Sequence, residues 1–405
     1  MIRRRFAIFS LLGPAIVAGV AYLDPGNVAT NLTAGAGYGY LLVWVIVAAN
    51  LSAALVQFLS AKLGVVAGKS LPDVMGEQFK TRFGRLAFWG QAELVAMATD
   101  LAEIIGGALA LYLLFGLPLL LGGFITGVLS ILLLQLSAKR GPFSFQSIMI
   151  GLVAITGVGF VAGLFVKSPD LSAILGGLVP RIQDSASLLL VVGIFGATIM
   201  PHAIYAHSAL ARDRFGVGLT DERKLQLIGA TKLDVGIAMA IAGFVNLAIL
   251  LVGAVNLFGA ANTDSIVGAH AAIGSTLGPI VAGIFAIGLL ASGLASTSIG
   301  AYAGAVIMDG LLKVKLSLLA RRVISLLPAL VILAVTDDAT WALVLSQVVL
   351  SFGIPFALFP LIRITSRAEI MGGFKNRALT SILGYLIAAM ITALNLVLLW
   401  LVFTN

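Results

Sequence analysis

Apolar runs long enough to cross a lipid bilayer recur along the whole chain, with short polar connections between them. A membrane-spanning helix needs about 20 apolar residues. The eleven runs that qualify lie at residues 6–36, 39–64, 86–112, 116–138, 146–167, 187–212, 234–258, 278–311, 319–336, 340–363 and 379–403. Only 10% of the residues are charged, too few to solvate so much apolar surface in water. The pattern excludes a soluble enzyme, a disordered chain and a coiled coil, and it predicts an all-α polytopic membrane protein.

The basic residues predict how the chain is oriented in the membrane. All Lys and Arg except Lys167 and Arg181 fall on one side of the eleven-span arrangement. Cytoplasmic connections carry an excess of Lys and Arg, so we expect a multi-pass protein of the cell membrane with its N-terminus cytoplasmic and its C-terminus outside. The net charge of +8 is therefore interpreted as a topology signal, and no nucleic-acid partner is predicted. The chain has no cysteine, which excludes a thiolate metal site.

Two of the spans are interrupted in mid-membrane by proline motifs. The first span contains residues 24–27 (DPGN), and the sixth contains residues 200–202 (MPH). Because these spans are five apart, the second set of five helices must be inverted relative to the first. We predict repeats at 1–167 and 187–363 and an extra helix at 379–403, all within one transporter domain. Interrupted helices in matching positions of inverted repeats indicate a secondary transporter; two ordinary proline kinks are the alternative.

The two interruptions place metal-binding atoms together at membrane depth. Asp24 offers a carboxylate, Asn27 an amide oxygen and Ala21 a freed backbone carbonyl. Met200 offers a thioether next to the freed carbonyl of Ala197. Oxygen ligands alone suit Mg²⁺ or Ca²⁺, whereas an added sulfur favours softer divalent metals such as Mn²⁺ or Fe²⁺. The alternative for Met200 is ordinary core filling.

The third span carries three carboxyl groups that fit one polar stripe. Glu93, Asp100 and Glu103 lie on one side of a helix by their spacing. Crowded carboxyl groups at low dielectric resist simultaneous ionisation, so such a stripe can hold and pass protons. The alternative is a structural network paired with basic residues. Arg321 and Arg322 either anchor the ninth span at the cytoplasmic surface or pair with these carboxylates.

Other polar residues within spans have less specific interpretations. His202 and His207 are five apart, about 140° around a helix, so we expect them to act separately. His202 either titrates near physiological pH or packs as a hydrogen-bonded side chain, and His207 is assigned to packing. Gln347 is a candidate to face the cavity. Gln57 is interpreted as an interhelical contact.

The two motifs resemble those of a known family. Residues 24–27 are similar to the DPGN signature of the Nramp divalent-metal transporters, and residues 200–208 are similar to that family's MPH-x-x-Y-x-H-S signature. Residues 91–103 resemble the family's third helix. The resemblance extends over essentially the whole chain. It implies a LeuT-type fold with helices 1 and 6 broken, and proton-coupled import of Mn²⁺ or Fe²⁺ by alternating access.

The resemblance also implies roles for individual residues. The implied metal ligands are Asp24, Asn27, Met200 and the Ala197 carbonyl, joined in some conformations by the Ala21 carbonyl and Gln347. The implied proton pathway comprises Asp24, His202, Asp100 and Glu103, with Arg322 beside it and Glu93 contributing. No cofactor is implied, because the metal and the protons are the transported substrates. Many relatives have Asn where this chain has Ala203, and many have a twelfth helix. The chain keeps the Met200 thioether, which the magnesium-transporting branch of the family lacks, and so resembles the transition-metal branch.

Three other functions are open on the residues alone. The same fold could move Na⁺ with an amino acid whose amine pairs with Asp24, leaving Met200 incidental. An intramembrane hydrolase would need a nucleophile–base spacing or an HExxH pattern, and neither is recognisable. A metal sensor would need a sizeable soluble domain to relay its signal. We therefore predict a transporter and not an enzyme.

Overall fold

The protein is almost entirely helical. The computed structural model describes residues 13–140, 142–260, 265–315, 317–336 and 338–404. In chain order the helices are α1 (Pro14–Gly19), α2 (Pro25–Tyr38), α3 (Val43–Ala67), α4 (Leu71–Gln78), α5 (Arg82–Phe115), α6 (Leu119–Arg140), α7 (Pro142–Val166), α8 (Leu171–Gly176), α9 (Ser185–Ile199), α10 (Pro201–Phe215), α11 (Asp221–Asn256), α12 (Ile266–Leu277), α13 (Pro279–Leu312), α14 (Leu318–Val335), α15 (Ala339–Thr365), α16 (Ala368–Met371) and α17 (Ala378–Thr404), with short 3₁₀ turns at Val20–Leu23 and Gly372–Phe374.

Helices occupy all eleven predicted spans. Within the described ranges, eight helices are long and apolar enough to cross a membrane. The other three predicted spans coincide with the broken first span, with α6 and with α14. Residues 6–12 of the first predicted span, and the basic residues 3–5 used for orientation, lie outside the described ranges. The division into two five-helix repeats and an extra helix stays a prediction.

Two of the predicted connections are wrong in part, because they contain helix. The predicted connection 213–233 is helical from Asp221 onward, since the Thr220 hydroxyl caps the first turn by accepting the Arg223 amide at 3.3 Å. Asp221 and Glu222 then lie where the helix dipole favours negative charge. The connection left between the predicted spans 234–258 and 278–311 also contains a helix, α12, on which His270 lies.

The helices differ sharply in how much of their surface is inside the protein. For each span we compared the buried share of its most apolar 18-residue stretch. This share is 94% in Ser185–Phe215 and 78% in α5. The corresponding values are 28% in Ser147–Phe165 of α7 and 22% in α17. The broken sixth span and the third span therefore form the centre of the molecule, while α7 and α17 present apolar side chains to the lipid.

Glycines bring several helix backbones into direct contact, as is common between membrane helices. On α2, a Cβ added at Gly35 would lie 2.0 Å from the Leu250 carbonyl oxygen of α11. On α7, a Cβ at Gly159 would lie 2.8 Å from the Gly288 Cα of α13. These pairs leave no room for any side chain, so the spacing of the two helices is fixed at those points.

Helix α11 also holds both halves of the broken first span. The Asp234 carboxylate accepts the backbone N–H of Ala15 in α1 at 2.9 Å. The Asn246 side chain donates to the Tyr22 carbonyl at 3.0 Å and accepts from the Asn31 amide of α2 at 3.0 Å. The interruption is thus braced from one side by polar contacts on a single neighbouring helix.

Candidate functional site

Each helix interruption leaves a backbone carbonyl without its ordinary helical partner. Pro25 and Pro201 have no N–H, so the carbonyls four residues earlier, at Ala21 and Ala197, receive no α-helical hydrogen bond. Met200 adopts a positive φ of 27°, which turns the chain between α9 and α10. Both interruptions therefore leave a carbonyl oxygen inside the protein that is available to a partner outside its own helix.

Asn27 joins the two interruptions. Its Nδ2 donates to the Ala197 carbonyl at 2.8 Å and to Asp24 Oδ1 at 3.0 Å. Asp24 also caps α2 by accepting the Asn27 backbone N–H at 2.7 Å, a position where the helix dipole favours a carboxylate. Within the described residues, the buried Asn27 Oδ1 has no hydrogen-bond partner. Rotation of this amide would add a third oxygen ligand between the carboxylate and the carbonyl.

Gln347 approaches the same point from α15. Its Nε2 donates to Asp24 Oδ2 at 3.4 Å and to the Ser346 hydroxyl at 3.0 Å, while its Oε1 is buried and unpartnered among the described residues. Gly26 makes this approach possible, because a Cβ there would lie 1.7 Å from the Gln347 Nε2. Gln347 therefore lies beside Asp24 at the first interruption, and its role as a ligand stays a prediction.

The ligand set contains few charged groups. The described residues contain no cluster of three or more His, Asp or Glu that would hold a metal tightly. Asp24 supplies the one carboxylate, and Met200 is fully buried at the other interruption. Such a mixture of carboxylate, amide, carbonyl and thioether is suited to a divalent metal that binds and is then released from the site.

A second polar cluster surrounds the buried guanidinium of Arg322 on α14. Arg322 Nη1 donates to Asp100 Oδ1 at 2.9 Å and to Glu103 Oε2 at 3.4 Å. Its Nε donates to the Ser130 hydroxyl at 2.8 Å and its Nη2 to the Thr297 hydroxyl at 3.1 Å. Glu103 Oε1 has no partner in the described part of the chain. Two carboxylates thus share one cation, leaving a position where a proton can reside.

The predicted carboxylate stripe is divided between two arginines. Glu93 accepts from Arg321 Nη1 at 2.8 and 2.9 Å, separately from the cluster around Arg322. The Glu93 side chain is 18% exposed and that of Arg321 is 3% exposed. Glu93 therefore lies nearer the surface than the buried cluster around Arg322. Gly304 makes room for it, because a Cβ there would lie 1.8 Å from the Arg321 Cζ. Proton passage and structural pairing are both compatible with this geometry.

His202 lies between the two clusters. Its Nδ1 and the Thr99 hydroxyl are hydrogen-bonded at 3.1 Å, and Thr99 precedes Asp100 on α5. The His202 Nε2 is buried without a partner among the described residues. In contrast, His207 Nδ1 is bonded to the Gln57 Oε1 at 2.8 Å, which fits the packing roles predicted for both residues.

Sequence reasoning missed several members of these clusters. Thr99, Ser130 and Thr297 are fully buried hydroxyl residues on three different helices. Ser292 of α13 is a fourth, because its hydroxyl donates to the Leu23 carbonyl next to the first interruption. Serine and threonine are frequent in membrane helices, so their types alone gave no signal. The buried Arg322 did imply that polar partners must exist.

Polar contacts link three elements at the predicted cytoplasmic end of the protein. Arg212 at the end of α10 contacts Asp73 of α4 at 2.5 Å and Asp213 at 2.7 Å. Tyr302 of α13 donates to the same Asp213 at 2.7 Å. Three elements are therefore tied together at this face.

The predicted outer end has its own contact between the two broken spans. Tyr38 at the end of α2 donates to Asp184 at 2.7 Å, just before α9 begins. Hydrogen bonds from the Ser187 backbone and the Tyr38 hydroxyl hold the pKa of Asp184 below its usual range. Asp184 therefore accepts both hydrogen bonds as a carboxylate at neutral pH.

Relatives of known description match nearly the full length of the chain. The divalent metal cation transporter MntH of Mycobacterium tuberculosis (strain ATCC 25618 / H37Rv) is 55% identical over 395 residues, which cover 98% of this chain and 92% of the relative. MntH of Bacillus subtilis (strain 168) is 44% identical over 390 residues, covering 96% and 91%. A crystal structure of the Eremococcus coleocola manganese transporter, in complex with an aromatic bis-isothiourea substituted compound, superposes with a TM-score of 0.87 at 32% identity, covering 96% of this chain and 86% of that one.

More distant structures share the fold alone. MhsT in complex with L-phenylalanine has a TM-score of 0.62 at 13% identity, and covers 96% of this chain and 97% of that one. Its similarity confirms the predicted LeuT-type fold. The model of the Nramp family, described as natural resistance-associated macrophage protein-like, matches residues 15–401. The resemblance seen in the two motifs is thereby confirmed, and this multi-pass membrane protein belongs to the Nramp family.

Proposed function

We propose that the chain imports Mn²⁺ and Fe²⁺ across the cell membrane, coupled to protons, by alternating access. The relatives named as divalent metal cation transporters, and the manganese transporter of similar structure, support the substrate class. The observation that carries the proposal is the convergence of Asp24, Asn27 and the Ala197 carbonyl at the two interruptions, with an unpartnered amide oxygen beside them.

In the proposed cycle, an incoming metal takes the place now occupied by the Asn27 Nδ2. Rotation of the Asn27 amide turns its oxygen toward the metal, next to Asp24 and the Ala197 carbonyl. The Met200 thioether adds a soft ligand that favours Mn²⁺ and Fe²⁺ over Mg²⁺ and Ca²⁺. The Ala21 carbonyl and Gln347 complete the coordination in some conformations.

Arrival of the metal drives a proton from Asp24 or His202 toward the second cluster. The hydrogen bond between His202 and Thr99 supports this route, because Thr99 adjoins Asp100. Asp100 and Glu103 then share the proton beside Arg322, and Glu93 continues the path toward the cytoplasm. In this proposal each proton carrier lies within the protein core or at its predicted cytoplasmic edge.

The proposed orientation places the N-terminus in the cytoplasm and the C-terminus outside. The repeats at 1–167 and 187–363 rock against each other around the two interruptions, as in other secondary transporters with inverted repeats. Opening toward the cytoplasm then requires the Arg212–Asp73 and Tyr302–Asp213 contacts between elements to separate.

The test is uptake of Mn²⁺ and Mg²⁺ into proteoliposomes, with the internal pH recorded, for the parent and for Met200→Ala. We expect the parent to take up Mn²⁺ with acidification and to exclude Mg²⁺, because Mg²⁺ gains nothing from a thioether. Met200→Ala should lose much of this discrimination. Met149→Ala, which removes an equally buried methionine on α7, should behave as the parent does.

Two results would contradict the proposal. Mn²⁺ uptake without a change in internal pH would remove proton coupling. An absence of Mn²⁺ uptake in correctly inserted protein would remove the metal assignment, and Na⁺-dependent uptake of an amino acid would then be measured.

A further inference from the structure

A cleft of about 440 Å³ opens among residues that belong to neither polar cluster. It lies where α4, the start of α5, the end of α15 and α17 meet. By the predicted orientation this is the level at which the cytoplasmic leaflet of the membrane meets water. The metal site and the proton cluster contribute none of its lining residues.

Aromatic rings form two walls of this cleft. Phe79 and Phe88 pack with their ring centroids 5.5 Å apart, and Phe359 and Tyr385 pack at 6.1 Å. Phe359 is 39% exposed and Tyr385 is 40% exposed, so the second pair faces outward. Tyr is enriched at the membrane–water interface, and the exposed Phe359 ring beside Tyr385 offers apolar surface to an acyl chain at that level.

A basic side chain without a partner lies at the polar end of the cleft. Arg363, in the last turn of α15, is exposed and forms no ion pair with any described residue. The carboxylates of the adjoining α4 are already engaged, Asp73 with Arg212 at 2.5 Å and Glu77 with Lys69 at 2.8 Å. No described acidic group therefore neutralises Arg363.

We propose that this cleft binds an acidic phospholipid of the cytoplasmic leaflet. The lipid phosphate pairs with Arg363, and the upper part of an acyl chain lies between the two aromatic pairs. A basic pocket between membrane helices on the cytoplasmic side has the charge and the position that recognise an anionic headgroup. The proposal relies on the predicted orientation of the chain and is independent of which metal is carried.

The test is lipid binding to the purified, delipidated full chain, followed by native mass spectrometry during titration with phosphatidylglycerol or phosphatidylcholine. We expect the parent to prefer phosphatidylglycerol. Arg363→Gln should weaken phosphatidylglycerol binding by about fivefold, the contribution of one basic residue near a charged lipid surface. Its binding of phosphatidylcholine should not change. Phe359→Ala should weaken both lipids, because it removes part of the acyl wall.

Arg377→Gln is the matched control, since it removes an exposed basic residue on the same predicted side but outside the cleft. It should bind phosphatidylglycerol as the parent does. Parent-like phosphatidylglycerol binding by Arg363→Gln would overturn the proposal. Displacement of the lipid by inorganic phosphate in the parent would also overturn it, because the cleft would then be a site for free anions.

Discussion

Asp24 has two roles that must be separated before any variant is interpreted. It caps α2 through the Asn27 backbone N–H, and it faces Gln347 and the interruption of the sixth span. Loss of an N-cap typically costs about 1 kcal/mol, which affects folding as well as binding. Replacement by Asn keeps a capping oxygen while removing the charge, so the two variants Asp24→Asn and Asp24→Ala distinguish the roles.

Both Asp24→Ala and Asp24→Asn are expected to abolish Mn²⁺ uptake, because the site loses its single carboxylate. Asp24→Asn should retain more of the parent's thermal stability in detergent than Asp24→Ala does. Uptake into proteoliposomes and thermal unfolding are the two measurements, with Asp309→Ala as a control at the far end of α13. Near-normal Mn²⁺ uptake in either Asp24 variant would refute the site assignment.

Gly26 is predicted to act on the metal through Gln347. In Gly26→Ala the new methyl group overlaps the Gln347 side chain, which must move away from Asp24. We expect the KM for Mn²⁺ to rise several-fold, because the displaced Gln347 no longer contributes to metal binding.

A double-mutant cycle with Gln347→Ala tests whether Gly26→Ala acts by displacing Gln347. Once Gln347 is absent, Gly26→Ala should have little further effect on KM, since residues in contact are not additive. Additive effects of the two changes would mean that Gly26 acts in some other way. Gly37→Ala on the same helix, where an added Cβ meets open space, serves as the neutral control.

Some elements could be predicted from the sequence and others could not, for definite physical reasons. Proline alone does not predict an interruption, since Pro328, Pro355 and Pro360 lie inside continuous helices. The two interruptions were predictable because proline occurs there within the polar motifs DPGN and MPH, in matching positions of spans five apart. The early start of α11 could have been found from Thr220 followed by Asp221 and Glu222, which is a capping pattern. The contacts of Arg322 with Ser130 and Thr297 could not, because they depend on how three separate helices pack. Likewise, the sequence indicated Asn27 as a candidate ligand but not the present orientation of its amide.

The contact between α2 and α11 leads to a prediction about stability. Gly35→Ala places a methyl group against the backbone of α11, which cannot move aside as a flexible side chain would. We expect a loss of about 1–3 kcal/mol, typical of overpacking, measured as a lower unfolding temperature in detergent. Gly37→Ala, two residues away on the same helix, should leave the unfolding temperature almost unchanged. Equal stability of the two variants would contradict the contact.

Across the whole molecule, the two polar clusters are built on different helices. The Arg322 cluster draws its side chains from α5, α6, α13 and α14. The candidate metal donors come from the first span, from α9 and from α15. The hydrogen bond between Thr99 and His202 links α5 of the Arg322 cluster to α10, the helix that follows Met200.

Glu103→Gln should therefore reduce proton movement more than metal movement. The amide keeps an acceptor for Arg322 but cannot take up a proton, and no proposed metal ligand is changed. We expect Mn²⁺ uptake within a few-fold of the parent, with much weaker acidification of the vesicle interior. Glu77→Gln, which alters an exposed carboxylate paired with Lys69, is the control. A proportional fall in both signals would indicate that the cluster supports the metal site itself.

The separation of the two clusters has an electrical consequence. A proton on the Arg322 cluster lies within the membrane, where each elementary charge moved across the full potential gains about 2.3 kcal/mol per 100 mV. In the proposed cycle this force acts on the proton once it has reached Asp100 and Glu103 beside Arg322. In the proposed cycle, a cell with a strongly negative interior therefore adds to the inward drive on a proton that has left Asp24 or His202.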